Sequence, residues 1–420
     1  MKRFLVCILT ISLILNLLPF NLFYGIADAE TDSIQQPSAP SYWWRDIFAN
    51  NRTFVGILND GSLWQWNNYH PHLEPFELGE YQQTNYIRSS PVKILENAVD
   101  VSIGYLGCVL AITNDNKLWS WGDNSYGQLG DGTQTYRHDP VSIMEDVYKV
   151  YTDDYAHCYA IKNDQTLWRW GSRNDDGINP YTTPEKIMDD VIDVASGSDF
   201  TLILKNDFTL WELGYDNLKP MDDSSDISGQ VPVKIMDDVK KIKAFDNSFY
   251  AIKQDNSLWT WGNNQYGQLG HSIDLSYTWK SPEKILDDVA DVFPAAQSAY
   301  ALMLDHSLYS WGKDEYGELG RYTETDIDTP GKVMDNIKEL STIYSHVLAL
   351  DNTGSLYGWG YNWESQLGKD ESSESEQNYY RTPTLISNNV SKFTTTDYTS
   401  CFIDNSGQLF MFGEVFGGKE

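Results

Sequence analysis

The chain has 420 residues, with 60 acidic and 30 basic side chains and a formal net charge of −30. A twofold acidic excess without a basic run lacks the clustered cations that phosphate binding needs, so nucleic acid is excluded as an expected partner. The length is sufficient for an active site, so catalytic motifs have to be sought individually.

Residues 1–29 read as a leader. Lys2-Arg3 precedes an apolar stretch from Phe4 to Leu18, and Ala27-Asp28-Ala29 supplies a small-x-small cleavage site. The apolar stretch is shorter than the ~20 residues that span a bilayer, so a signal peptide is expected rather than a membrane anchor. Removing Lys2, Arg3 and Asp28 leaves 28 basic against 59 acidic residues. Residues 30–420 are expected to form a single secreted, extracellular domain with no membrane span. Cys7 leaves with the leader, and Cys108, Cys158 and Cys401 remain in apolar strand contexts without zinc spacing. They read as packing residues, with one disulfide open as an alternative.

Beyond the leader, a Leu-aromatic-x-apolar tetrapeptide recurs eight times at intervals of 43 to 55 residues. The copies begin at Leu63, Leu118, Leu167, Leu210, Leu258, Leu308, Leu356 and Leu409. A period near 50 residues indicates a propeller or an array. Each unit holds four short apolar runs. In the sixth these are Pro282 to Ile285, the run from Val289, Ala299 to Leu302, and the run from Leu308. Turn residues such as Asn59-Asp60-Gly61, Asn114-Asp115-Asn116 and Asp351-Asn352-Thr353-Gly354 separate the last two runs, which predicts a β-hairpin. The alternating rings of Trp64-Gln65-Trp66 share one strand face, which must be buried against a neighbour.

A four-stranded unit cannot bury both faces alone, and stacking around a circle removes the open ends. The expected fold is therefore an all-β propeller of four-stranded blades. A Pro opens the first run at Pro91, Pro140, Pro184, Pro232, Pro282, Pro330 and Pro383, and Pro37 opens a first unit whose apolar residues are missing. Eight repeats favour eight blades, with seven as the alternative.

The hairpin ends carry Gly-x-Asn-x-x-Gly-Gln-Leu-Gly, intact at Gly122 to Gly130 and Gly262 to Gly270. It is altered at Gly312 to Gly320, where Asp314 and Glu318 substitute, and at Gly360 to Gly368, where Ser365 replaces the inner Gly. On these residues the chain resembles the regulator of chromosome condensation repeat family, over residues 37–420. The resemblance implies a propeller, usually of seven blades. The family's histidine before the third strand has counterparts in His157 and His346 only, and the third and fourth units lose the Gly-Gln-Leu-Gly segment. The acidity argues against the chromatin role of the better-known members.

No Gly-x-Ser-x-Gly elbow, phosphate loop or His-Glu-x-x-His occurs, so no enzyme, cofactor or metal site is expected. His70-Pro71-His72 reads as an exposed loop pair. Asn174 to Gly177 and Asp222 to Asp226 read as turns, because neither has the ligand spacing of a calcium loop. Glu371 to Glu376 reads as a polar insertion. The pairs Asp189-Asp190, Asp237-Asp238 and Asp287-Asp288 place a carboxylate ring on one face, read as solubility and edge protection.

Eleven of the fifteen Trp lie inside the tetrapeptide and are structural by position. Trp279 and Trp363 interrupt the repeat in connecting loops, and Tyr126, Tyr266, Tyr316 and Tyr361 lie at or near the hairpin ends. Rigidly held exposed aromatics anchor protein recognition or stack on sugars, so these six are the expected binding residues. The expected function is a secreted binding module for an extracellular or surface protein. Alternatives are a lectin-like propeller with a glycan partner, and an inhibitor of an enzyme such as β-lactamase, known for a secreted propeller of this repeat type.

Overall fold

The computed structural model describes residues 6–8, 23–25, 42–50, 53–66, 91–104, 107–153, 155–172, 181–214, 231–273, 281–322, 327–368 and 378–413. They form an eight-bladed β-propeller, and no helix occurs among them. Within a blade the strands, lettered a to d from the channel outward, form an antiparallel meander. Blade 5 shows the pattern with Val239–Phe245, Ser248–Lys253, Leu258–Gly262 and Glu283–Leu286. Blades 1 to 7 each have four strands. Blade 8 has three, Val390–Thr395, Thr399–Asp404 and Leu409–Gly413, and Val6–Ile8, paired with Phe23–Gly25, lies alongside the last of them.

The blade is offset from the sequence unit. The run that opens each unit is strand d of the preceding blade: Glu283–Leu286 pairs with Leu258–Gly262, and only Asp287-Asp288 separates it from strand a of blade 6, Val289–Pro294. The turn is this short because Asp288 takes φ +59°, which Asp tolerates better than most side chains. Every boundary between consecutive blades is thereby bridged by a strand pair belonging to one sequence unit. The unit opened by Pro37 would contribute its first strand to blade 8 by the same rule, and residues 26–41 lie outside the described residues.

The expected c-strand hairpins are present. In blade 5 the Asp255 carboxylate accepts the backbone N–H and the hydroxyl of Ser257, at 2.9 and 2.6 Å, while Asn256 takes φ +67°. The Ser257 hydroxyl in turn accepts the indole N–H of Trp259 at 2.9 Å. The same Asp–hydroxyl–Trp relay recurs at Trp64, Trp168 and Trp211. The first aromatic of the tetrapeptide therefore caps its own turn, half-buried at the rim.

The second aromatic builds the seam between blades. Eight apolar clusters occupy the eight seams, including the closing one, where Trp44, Phe54 and Trp66 of blade 1 meet Cys401, Ile403 and Met411 of blade 8. Trp121, Trp170, Trp261, Trp311 and Trp359 are fully buried there. Each indole N–H of Trp170, Trp311 and Trp359 donates to a backbone carbonyl in the preceding blade's Gly-Gln-Leu-Gly segment: Gln128 at 2.9 Å, Gln268 at 2.8 Å and Glu318 at 2.7 Å. The final Gly of that segment lies against the same ring. A Cβ on Gly130 would stand 2.9 Å from Trp170, and one on Gly320 2.8 Å from Trp359, at φ +72° and +68°. The small or polar third position of the tetrapeptide holds the segment from its own side, as Ser120, Thr260 and Ser310 hydroxyls donate to the carbonyls of Leu129, Leu269 and Leu319.

Where the motif is lost, the partner changes. Blade 3 lacks it, and blade 4 has Leu213 in place of the indole. Blade 4 also lacks it, and the Trp261 N–H has no partner among the described residues. Cys108, Cys158 and Cys401 are buried free thiols in strand b or at its start, with Cys108 and Cys158 facing one another across a seam and both donating to the Gln128 carbonyl, at 3.6 and 3.3 Å.

Around the channel, the third residue of each strand a forms a girdle of charge: Asp46, Asp100, Lys149, Asp193, Lys241, Asp291, Glu339 and Lys392. The lysines reach to the next blade, Lys149 to Asp193 at 3.0 Å, Lys241 to Asp291 at 2.9 Å and Lys392 to Asp46 at 3.5 Å. Burial pushes the Asp100 carboxyl up, opposed by its hydrogen bond from the Val101 N–H and by Lys149.

Replacing Trp311 by Ala empties a fully buried indole site and removes one of the two donors to the Gln268 carbonyl, leaving the Tyr250 hydroxyl. The expected cost is ~3–5 kcal/mol, read as a lowered denaturation midpoint in urea. A midpoint within error of the parent would show that this seam is not core.

Candidate functional site

An antiparallel meander places the a–b and c–d connections at one end of the ring and the b–c and d–a turns at the other. The paired acids thus share the short-turn face, as the sequence indicates, where Lys186, Lys234 and Lys284 bind Asp189, Asp237 and Asp287 from three residues upstream, at 2.5 to 2.6 Å. Five of the six expected binding residues lie on the long-loop face. Trp279 lies outside the described residues.

The c–d loops are folded by one buried side chain. Asn124 accepts the Leu129 N–H at 2.9 Å and donates to the Thr133 and Thr135 carbonyls, at 3.0 and 3.2 Å. Asn264 and Asn362 accept the equivalent N–H at 2.9 and 2.8 Å, as does the Asp314 carboxylate at 2.9 Å. Tyr126, Tyr266 and Tyr316 stand two residues after this anchor, half-buried at the loop tip.

Tyr316, Tyr361 and Trp363 come together across blades 6 and 7. The Tyr316 and Tyr361 rings meet edge to face with centroids 5.2 Å apart, and Tyr361 lies nearly parallel to Trp363, at 6.5 Å and 19°. Trp363 is 61% exposed. Tyr379 joins Tyr316 at 6.4 Å, and the Arg381 guanidinium covers the Tyr379 ring at 4.8 Å while donating to the Asp314 carbonyl at 3.2 Å. Tyr266 of blade 5 extends the row through Lys313, which lies 5.4 Å over its ring. Tyr398, on the exposed a–b turn of blade 8, is close enough to Tyr361 to act on its titration. Tyr126 stands apart on blade 2. Sequence reasoning missed Tyr379, Arg381 and Tyr398, because each enters the row from a neighbouring strand or turn rather than from the repeated loop.

Blade 6 contributes a lysine and two carboxylates to the row. The Glu315 carboxylate accepts from Lys313 and from the Tyr316 hydroxyl; these bonds draw Glu315 below its usual range and push Tyr316 up. Glu318 stands where blades 2, 5 and 7 have Gln128, Gln268 and Gln366. Burial pushes its carboxyl up to about 7, against the opposing hydrogen bonds from its own and the Tyr316 backbone N–H.

The two family-position histidines are structural. His346 is buried and held neutral, its pKa pushed down to about 3, with its Nε2 3.0 Å from the Ser400 hydroxyl. His157 Nδ1 lies 2.8 Å from Asp153, and the Ser196 hydroxyl donates to that same carboxylate at 2.6 Å. No group of three metal-ligating side chains gathers among the described residues.

Models of the Regulator of chromosome condensation (RCC1) repeat match residues 98–128 and 239–268, and, in a second form, residues 115–150 and 255–296. The first pair of matches starts at strand a of blades 2 and 5, so these two blades carry repeats of that type. The chain is 31% identical over 83 residues to the human and mouse E3 ubiquitin-protein ligase HERC2, a match that spans 19% of this chain and 2% of theirs. Among solved structures it is similar to yeast RCC1 (Prp20) bound to Kap60, with TM-score 0.58 and 21% identity, covering 77% of this chain and 81% of that one. Human WBSCR16 aligns with TM-score 0.57 and 18% identity, covering 82% and 94%. These likenesses show the fold.

Glu318 gives a pH signature. Its folded pKa lies above its ordinary value, so the folded state holds the proton more tightly; this contribution to stability is full below pH ~4.5 and is lost as pH rises through about 7. Glu318→Gln, the side chain of the other loops, is expected to stabilise the protein by about 3 kcal/mol at pH 8 and little at pH 4, in urea titrations at both pH values. Equal effects at the two pH values would place the carboxyl in water.

Proposed function

We propose that this chain is an exported, acidic propeller that binds a protein through the long-loop face of blades 6 to 8. The observation that carries it is the Tyr316–Tyr361–Trp363 cluster with Tyr379, which displays an indole 61% exposed on a rigid blade. Aromatic rings held by a scaffold lose little conformational entropy on binding and are enriched among interface hot spots. Yeast RCC1, which has a similar fold, is itself bound to Kap60 in its crystal structure. The reading includes export by the leader, a role without catalysis, and an extracellular or surface protein as partner.

Export is checked by N-terminal sequencing of the protein recovered from the medium of its producing cell. A start near Glu30 is expected, and a start at Met1 overturns the localisation.

For the surface, the partner is to be captured from that medium or cell surface, and its affinity measured for the parent chain, Trp363→Ala and Tyr361→Ala. Each variant is expected to weaken binding by more than ~1 kcal/mol with unchanged thermal stability. Asp237→Asn with Asp238→Asn, on the opposite face, is expected to alter the salt dependence alone. Normal binding by both aromatic variants together with loss of binding in the Asp variant would move the interface to the short-turn face.

A further inference from the structure

On the short-turn face, blade 2 departs from the three blades that follow it at two linked positions. In blades 3, 4 and 5 the last residue of strand b is a lysine whose ammonium lies over the rim indole: Lys162 over Trp168 at 5.9 Å, Lys205 over Trp211 at 5.9 Å and Lys253 over Trp259 at 5.4 Å. The equivalent residue of blade 2 is Thr113, fixed by the same backbone bond across the turn, Thr113 N–H to the Lys117 carbonyl. The lysine has moved to position 117, where the other relays carry Ser or Thr. The Trp119 indole accordingly turns its N–H to the Thr113 hydroxyl, at 3.3 Å, and no lysine covers its ring.

Beside this uncovered ring lies a groove of about 460 Å3 between strand d of blade 1 and the hairpin turn of blade 2. Trp119, Ile94 and Leu95 form its apolar wall, and Asn97, Asn114 and Asp115 stand exposed at its edge. Its charges cancel locally: Lys93 binds Glu96 at 2.7 Å, and Lys117 binds Asp115 at 3.2 Å. The lining therefore combines one half-buried indole, several hydrogen-bonding side chains and no unbalanced charge. A cation would find both carboxylates already neutralised, and an anion would find both ammonium groups engaged. A neutral pyranose matches instead, with an apolar C–H face for the indole and hydroxyl groups for the amides and carboxylates.

We propose that the Trp119 groove is a binding site for a neutral saccharide. It lies on the face opposite the aromatic row and stands independently of the protein-binding reading.

The test uses the full mature protein with glucose, galactose, mannose, N-acetylglucosamine and their β-1,4-linked dimers as probes, by saturation-transfer NMR and isothermal titration. At least one probe is expected to bind with a dissociation constant in the millimolar range or tighter. Trp119→Ala should weaken it at least tenfold. Thr113→Lys restores the lysine of the neighbouring blades, so it should close the groove with equal loss of binding and an unchanged melting temperature, which covers the case in which Trp119→Ala disturbs the rim. Trp363→Ala should leave saccharide binding intact. Absence of binding for every probe, binding undiminished in Thr113→Lys, or saturation of the site by tetramethylammonium in place of the sugars would each overturn the assignment.

Discussion

Four of the eight seams are tied by a bond from an indole N–H of one blade to a polar acceptor of the blade before it. A buried indole needs an acceptor, and a loop carbonyl turned into an apolar seam needs a donor, so each satisfies a group whose isolation would cost ~1–3 kcal/mol. Trp170, Trp311 and Trp359 reach main-chain carbonyls, whereas Trp121 reaches the Gln65 side chain, because blade 1 lacks the glycine-rich segment. The loop motif and the tetrapeptide are thus two halves of one contact. Loss of the motif from blades 3 and 4 coincides with Leu213 in one following seam and an unpartnered Trp261 N–H in the other.

Charge is distributed by the same geometry. The short turns require residues that accept positive φ and cap backbone N–H groups, and Asp and Asn do both, so repetition of the turn concentrates carboxylates on one face. Lysines three residues upstream or across the seam pair with part of this charge at the rim and at the channel. The long-loop face repeats that demand less regularly, because four of its connections are folded by a buried Asn or Asp side chain. Variation there costs the scaffold little, which is the physical reason that an aromatic surface arises on blades 6 to 8 and not in the turns.

Much of this was legible in the chain itself. The spacing of Leu63, Leu118 and their counterparts, the turn residues between them and the paired aromatics suffice for a propeller and favour eight blades over seven, and the positive φ of Gly61, Asn116 and Gly354 agrees with the turns inferred from those residues. Tyr316, Tyr361 and Trp363 were identifiable because they stand in or beside a loop whose pattern repeats. Tyr126 obeyed the same pattern and lies elsewhere, since a motif repeated in every blade says nothing of which copies face one another.

The sequence determined whatever rests on contacts within a few residues: strand alternation, the Asp–hydroxyl–Trp relay, the tight turns and the number of repeats. Tertiary structure decided what depends on neighbours about fifty residues apart. It set the offset by which a unit's opening run becomes the outer strand of the preceding blade, since a strand pairs with whichever edge lies beside it once the seams have closed. It also set the partners of Tyr379 and Arg381, and the open ring of Trp119, where exchange of a lysine for Thr113 acquires meaning only beside the rim of blade 1. Periodicity fixes the local geometry of each unit, whereas a site is made where the units differ and meet.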